Sequence, residues 1–438
     1  MKITPRYLDG VVMAANALVN ARAVVDSPRC MAERTMFFDA VSDWYGYTAG
    51  TGPYSRDRRV YAANWDHYLA LGTEGILGDL FKLVASRCSG EPILVYRSSL
   101  SLLANNDVEG VIEQIAPHVE SPLLCVSRRS LDDDWVDAWR DTEEAVWEYI
   151  SKPDAPNKPV IVGFPLFRLE GDELGNVAEI QRLWGLAGFP AVEWPFSGGG
   201  LSQGGVALDS PLVAFPFGWR NHSADSHASD IISVDLPIGI SGTCRFLRKV
   251  GSHFDRENEV EQLIQREVPL LMSKLRPFMA NALMGRGALV VADPWTAAGL
   301  ASALRELSMG LDLAVLLRRE DAALEDGRDE NLLEAPTLVD PHYEDVEELL
   351  RERAEKGLCD VVVGSGVLVD AAERASLPYV EITAPQCFQH FALPTPYMGF
   401  EGMLRMAERL TAAIGRAEHQ RRVRRMQARP RAKPDPRD

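Results

Sequence analysis

Short, uninterrupted runs of β-branched and aliphatic residues, each followed by a loop and an amphipathic segment, constrain this 438-residue chain more than any other feature. Ile93-Leu-Val-Tyr96 precedes a helical pattern over 107–116. Val160-Ile-Val-Gly-Phe164 precedes one over 176–187, where Val177, Ile180, Leu183 and Trp184 share a face. Ala288-Leu-Val-Val-Ala292 precedes 295–307, and Asp360-Val-Val-Val-Gly364 precedes 367–375. A strand with one wet face alternates apolar and polar residues, whereas a strand apolar throughout is covered on both sides. Such runs alternating with helices predict an α/β fold, with mainly parallel sheets flanked by helices in several Rossmann-like units.

Two breaks divide the chain. Ser151-Lys-Pro-Asp-Ala-Pro-Asn-Lys-Pro159 is a proline-rich connection, and Gly285-Arg-Gly287 stands just before an apolar run. The expected units are therefore 1–150, 151–284 and 285–416. Residues 417–438 carry eight Lys/Arg against three acids, with three prolines, and read as a basic, disordered or extended tail. Residues 318–336 are charge-rich and read as a surface excursion.

Composition removes several function classes. With 46 basic and 63 acidic residues the net charge is −17, which suits no general nucleic-acid binder. Six cysteines, none in a CxxC pair, exclude a disulfide scaffold, a zinc ribbon and a thioredoxin motif. No window of about 18 uncharged apolar residues occurs, and the N-terminus lacks a basic region followed by a clean apolar stretch, so a soluble, cytoplasmic protein is expected. The chain lacks GxxxxGK[ST], GxSxG and HExxH, and Gly364-Ser-Gly366 lacks the third glycine of a dinucleotide turn. His222 and His227 stand five apart in a polar loop and read as a solvent-exposed pair. Familiar nucleotide and hydrolase chemistries are thus missing. Yet chains of several Rossmann-like units usually hold a ligand at their switch points.

A series of blocks then points elsewhere. Ser27-Pro-Arg-Cys30-Met-Ala-Glu, the glycine-rich turn at 45–54, the stretch 70–80 and the strand-to-helix block 94–112 follow one another in the N-terminal unit. Residues 175–189 and Leu236-Pro-Ile-Gly-Ile-Ser-Gly-Thr-Cys-Arg-Phe-Leu247 follow in the second. The third holds Cys359-Asp-Val-Val-Val-Gly-Ser-Gly366, Ser376-Leu-Pro378, and Phe388-Gln-His390 through Tyr397-Met-Gly-Phe-Glu-Gly402. In order and spacing, from about Arg29 to Leu410, these resemble the component 1 superfamily of nitrogenase and nitrogenase-like reductases. The resemblance implies three Rossmann-like domains around a cleft, in a heterodimer or a dimer of heterodimers.

It also gives the cysteines a meaning. In that family, thiolates at three positions per chain hold Fe–S clusters at the interface of α- and β-type subunits, soft sulfur being a suitable ligand for iron. Here the first position is Cys30, while the second falls near Pro53 and the third near Ser99. One thiol of three resembles β-type subunits that donate a single ligand, the other three coming from an α-type partner. The implied cofactor is a [4Fe–4S] or P-cluster-like group at the interface, with a larger Fe–S cofactor in the α-type partner. Ser99 could lie beside the cluster and offer an alkoxide. The implied electron donor is an ATP-dependent Fe–S reductase resembling the nitrogenase Fe protein. Cys88, Cys125 and Cys359 read as core, and Cys244 is given no ligand role. His390, with Cys387 nearby, stands where α-type subunits bind the catalytic cofactor. β-type subunits do not normally use theirs so, and a hydrogen-bonded structural role weighs more. The same blocks also fit a non-catalytic scaffold for cofactor assembly, or a metal-free α/β binding protein with Cys30 merely packed.

Overall fold

The computed structural model describes residues 2–28, 41–44, 60–63, 74–88, 90–126, 130–201, 205–218, 230–325 and 335–427. The N-terminal unit contains α1 (Tyr7–Asn16), β1 (Arg22–Asp26), β2 (Val60–Ala62), α2 (Glu74–Ala85), β3 (Ile93–Arg97), α3 (Ser99–Leu103), α4 (Val108–Ile115), β4 (Leu123–Cys125) and α5 (Trp135–Ile150). Its four parallel strands lie in the order β2-β1-β3-β4. The side chains explain the unbroken apolar runs. Val24, Ile93 and Val95 pack on one face against Leu77 and Phe81 of α2 and Val111 of α4. Ala23, Val25, Leu94 and Tyr96 face the other way, into the core that holds α1 and α5. Both faces are buried, so period-2 alternation has nothing to select.

The second unit is smaller. β5 (Val160–Val162), β6 (Leu212–Ala214) and β7 (Ile231–Ser233) form a three-stranded parallel sheet, accompanied by α6 (Glu173–Leu186), α7 (Gly239–His253) and α8 (Glu257–Phe278). The third unit contains β8 (Gly287–Ala292), α9 (Pro294–Glu306), β9 (Gly310–Leu316), α10 (Glu320–Glu325), β10 (Thr337–Val339), α11 (Tyr343–Lys356), β11 (Val361–Gly364), α12 (Val369–Arg374), β12 (Tyr379–Glu381) and α13 (Gly399–Gln427). Its five parallel strands run β10-β9-β8-β11-β12, again buried on both faces. The α/β fold with three parallel-sheet units stands as expected. One apolar core runs through all three units.

Side-chain chemistry sets the local starts and turns. Asp107 accepts from the Gly110 N–H (2.9 Å) to open α4, and Asp293 accepts from Trp295 and Thr296 (3.1 and 2.8 Å) to open α9. Gly364, with φ 133°, closes β11 where an added Cβ would overlap the Val291 carbonyl. Gly364-Ser-Gly366 is thus a tight β–α turn, with the Ser365 N–H on Val291 O (2.7 Å) and the Gly366 N–H on Pro385 O (2.7 Å).

Three expectations need correction. The surface excursion expected over 318–336 begins inside the fold, where Arg318, Ala322 and Ala323 are buried, while 326–334 lie outside the described residues. The tail expected from residue 417 is helical as far as Gln427, because α13 continues through an Ala-, Glu-, Gln- and Arg-rich stretch of strong helix formers. The first proline comes only at Pro430, and 428–438 lie outside the described residues. Cys125, expected in the core, is half-buried, because β4 is an edge strand.

Candidate functional site

Two of the places in the fold that gather polar side chains away from the surface bear on the expected site residues. The first is the carboxyl edge of the N-terminal sheet, where ligands of open α/β sheets usually bind. β1 and β3 are neighbours in register, with Asp26 opposite Arg97. Asp26 is fully buried, and its Oδ2 accepts from Ser101 Oγ and from Asn106 Nδ2 (2.8 Å). The Ser98 N–H donates to Asp26 O (3.0 Å), and Ser98 Oγ accepts from the Ser101 N–H (3.2 Å) to open α3. Ser99 is therefore the first residue of α3 and half-buried, two positions beyond Arg97. Cys30, four positions beyond Asp26, lies outside the described residues, as does Pro53. The strands that lead to Cys30 and to Ser99 thus end side by side. Leu100 and Leu103 of α3 are exposed beside Ser99.

The second place is the junction of all three units, where Arg168, only 2% exposed, is the central cation. Its guanidinium grips Asp172 with two hydrogen bonds (Nη2 to Oδ2 2.6 Å, Nε to Oδ1 3.2 Å). It also donates to Gln386 Oε1, Gln389 O (2.9 Å) and Ser42 O (3.4 Å). Glu170 takes His390 Nδ1 at 2.7 Å, the Phe391 N–H at 3.0 Å and the Trp44 N–H at 3.0 Å. The Trp44 indole stacks on the His390 ring at 3.6 Å and 12°.

The pattern continues along α6. Glu173 lies 3.3 Å from the Phe167 N–H and 3.4 Å from the Tyr397 hydroxyl. Asn176 Oδ1 accepts from Tyr397 N and Met398 N (2.8 and 3.0 Å), and Glu179 Oε1 from Glu401 N (3.2 Å). From the other side, Glu381 accepts from Cys387 N and Phe388 N (2.9 and 3.0 Å). The loop between β12 and α13 has no ladder of its own, so carboxylates and amides satisfy its buried N–H groups. The sequence reading picks out His390 and Cys387 there but misses Arg168, Glu170 and Glu173. Its only signal was the acid-rich run Glu170-Gly-Asp-Glu173 entering a helix, which equally describes a solvated helix start.

The electrostatics follow from this burial. Glu173 is held well above the usual carboxylate range, by burial first and by the charge of Asp172 second. Burial pulls Arg409 down to about 10. Cys387 and Cys125 are pushed up to about 11 and Cys359 to about 12, each mainly by burial, so none of these thiols is poised as a thiolate. Cys88 and Cys244 are buried and raised as well. Between Met13, Phe167, Arg168, Glu173 and Gln386 only about 10 Å³ is free, room for a single water.

Among the described residues no group of three or more His, Cys, Asp or Glu side chains is arranged to hold a metal ion. Of the two residues expected beside a cluster, Ser99 opens α3 and Cys30 lies outside the described residues. His222 and His227 lie outside the described residues.

Fold and sites together define an α/β protein with three parallel sheets, a packed polar junction and a hydrogen-bonded polar cluster at one sheet edge. Nitrogenase Cp1 at pH 6.5 has the same fold, with a TM-score of 0.75 at 16% identity over 96% of this chain and 94% of that chain. Nitrogenase Cp1 at pH 5 matches with a TM-score of 0.72 at 14% identity over 94% and 88%. The chain belongs to the family of nitrogenase component 1 type oxidoreductases, whose profile matches residues 69–415. No curated protein sequence matches. Among the described residues no helix is long and apolar enough to cross a membrane.

Proposed function

We propose that this chain is the β-type subunit of a nitrogenase-like reductase, working in the cytoplasm as a heterodimer or heterotetramer with an α-type partner. The observation that carries this reading is the divided donor set: one thiol, Cys30, and one hydroxyl, Ser99, follow strands that end side by side. Three further ligands would come from the partner. A cluster held there would supply one-electron transfer.

The chain's own part is positional. Asp26, Ser98, Ser101 and Asn106 fix the end of β1 against the start of α3, which holds Ser99 in place beside Asp26, four positions before Cys30. Leu100 and Leu103 extend that edge as apolar surface able to exclude water beside a partner. The junction favours a subunit without a large cofactor of its own. His390 is tied to Glu170 and stacked on Trp44, and the neighbouring cavity admits one water. We read His390 as a positioning residue for the loop that leads into α13. The reducible substrate would sit mainly in the α-type partner, and the missing P-loop agrees with ATP being used by a separate reductase that docks on the pair.

The test is anaerobic co-purification with the α-type partner, followed by turnover with the reductase and MgATP. Reductase-dependent electron flow into a dinitrogen, tetrapyrrole or alkyl-sulfur substrate supports a catalytic subunit. A complex that accumulates and releases an Fe–S cofactor without turnover supports the assembly scaffold instead.

A further inference from the structure

Most arginines described in this acidic protein are paired with carboxylates, Arg168, Arg182, Arg248, Arg318, Arg353 and Arg405 among them. Arg416, Arg421 and Arg424 on the last turns of α13 have no such partner among the described residues. Arg416 Nε donates to Ala412 O (3.1 Å) and Arg421 Nη2 to Ser376 O (3.2 Å), while Arg424 has no carboxylate partner among the described residues. All three line one groove of about 580 Å³ between α13 and the edge strand β12. Its floor includes Leu377, Tyr379 and Phe388, the last 59% exposed. Glu381 also lines the groove, but its carboxylate already serves the Cys387 and Phe388 N–H groups. Glu373 is the remaining acid.

We propose that this groove binds an acidic peptide segment of a partner protein, extended along α13, with carboxylates on the arginines and an apolar side chain on Phe388. The spacing argues for a peptide over a compact anion. Arg416 and Arg421 are five residues apart and Arg421 and Arg424 three, so their Cα atoms follow one another at about 7.5 and 4.5 Å along the axis. Alternate side chains of an extended chain recur every 6–7 Å or so. Helix residues 413–424 span about 16 Å, the reach of roughly five extended residues. A single phosphate would need the three arginines to converge. The dipole of α13 also favours cations at its end, but it does not require them to line one groove over an apolar floor.

The probe is a fluorescein-labelled heptapeptide alternating glutamate and phenylalanine, titrated by anisotropy onto the full-length protein at low and high salt. Saturable binding is expected that weakens with salt and falls about tenfold or more in the Arg416→Glu/Arg421→Glu variant. The Arg416→Lys/Arg421→Lys variant should keep most of it, and Phe388→Ala should weaken it. All these positions are exposed, so an unchanged circular dichroism spectrum separates lost binding from lost fold. The proposal is overturned if the glutamine-for-glutamate peptide binds equally well, if charge reversal changes nothing, or if no saturable binding occurs. Displacement by millimolar inorganic phosphate alone would overturn it too, in favour of a simple anion site.

Discussion

Single residues at the junction carry more than their own contacts. Glu170 holds His390, Phe391 and Trp44 at once, so Glu170→Ala leaves several buried donors without an acceptor. A loss of about 3–5 kcal/mol is expected in urea unfolding, with His390→Ala losing less because both Glu170 oxygens keep a donor, Oε1 from Trp44 N and Oε2 from Phe391 N. Asp293 makes a second test. Burial raises its carboxyl from 3.8 to about 6, while its Oδ1 caps α9. Between those two values unfolding releases a proton, so the folded state loses stability as pH rises from about 4 to about 6, then levels off. Asp293→Asn keeps a capping oxygen and cannot ionise. Melting temperatures should show the variant gaining on the wild type across that window, by up to about 3 kcal/mol at pH 7. Parallel pH profiles would contradict the assignment.

Elements show what was readable from sequence and what was not. Helices and strands around 93–97, 160–162, 287–292 and 361–364 were legible because two-sided burial leaves an unmistakable run of Val, Ile and Leu. The starts of α4 and α9 were legible from the patterns that Asp107 and Asp293 cap. The contacts that join elements were not. Arg168 meets Gln386, 218 positions away, and Glu170 meets His390, 220 away; in sequence each is one charged residue among many. The same holds for the clamp between α5 and the end of β9. Trp135 Nε1 donates to Leu317 O (2.8 Å), and Arg318 pairs with Asp134 and with Asp137 (2.9 Å), all nearly buried. Removing one partner of such a pair strands the others. Arg318→Ala should therefore cost about 3–5 kcal/mol in chemical denaturation, whereas Arg351→Ala, in an exposed helix pair, should stay within about 0.5.

At the scale of the whole molecule, three parallel sheets share a core and meet at a junction filled by ion pairs. The fold and the family follow from the chain itself. The cofactor does not, since the proposed ligands Cys30 and Ser99 are a fraction of a set, and the segment bearing Cys30 lies outside the described residues. A partner must complete the site for the account to hold. The direct measurement is iron and sulfide content, with EPR of the reduced state, on anaerobically co-purified complexes carrying wild-type, Cys30→Ala or Ser99→Ala chains. Cluster iron and its EPR signal are expected in the wild type, lost or altered in Cys30→Ala, and little changed in Ser99→Ala, with the complex still assembled. Unchanged iron and an unchanged signal in Cys30→Ala would contradict the central claim.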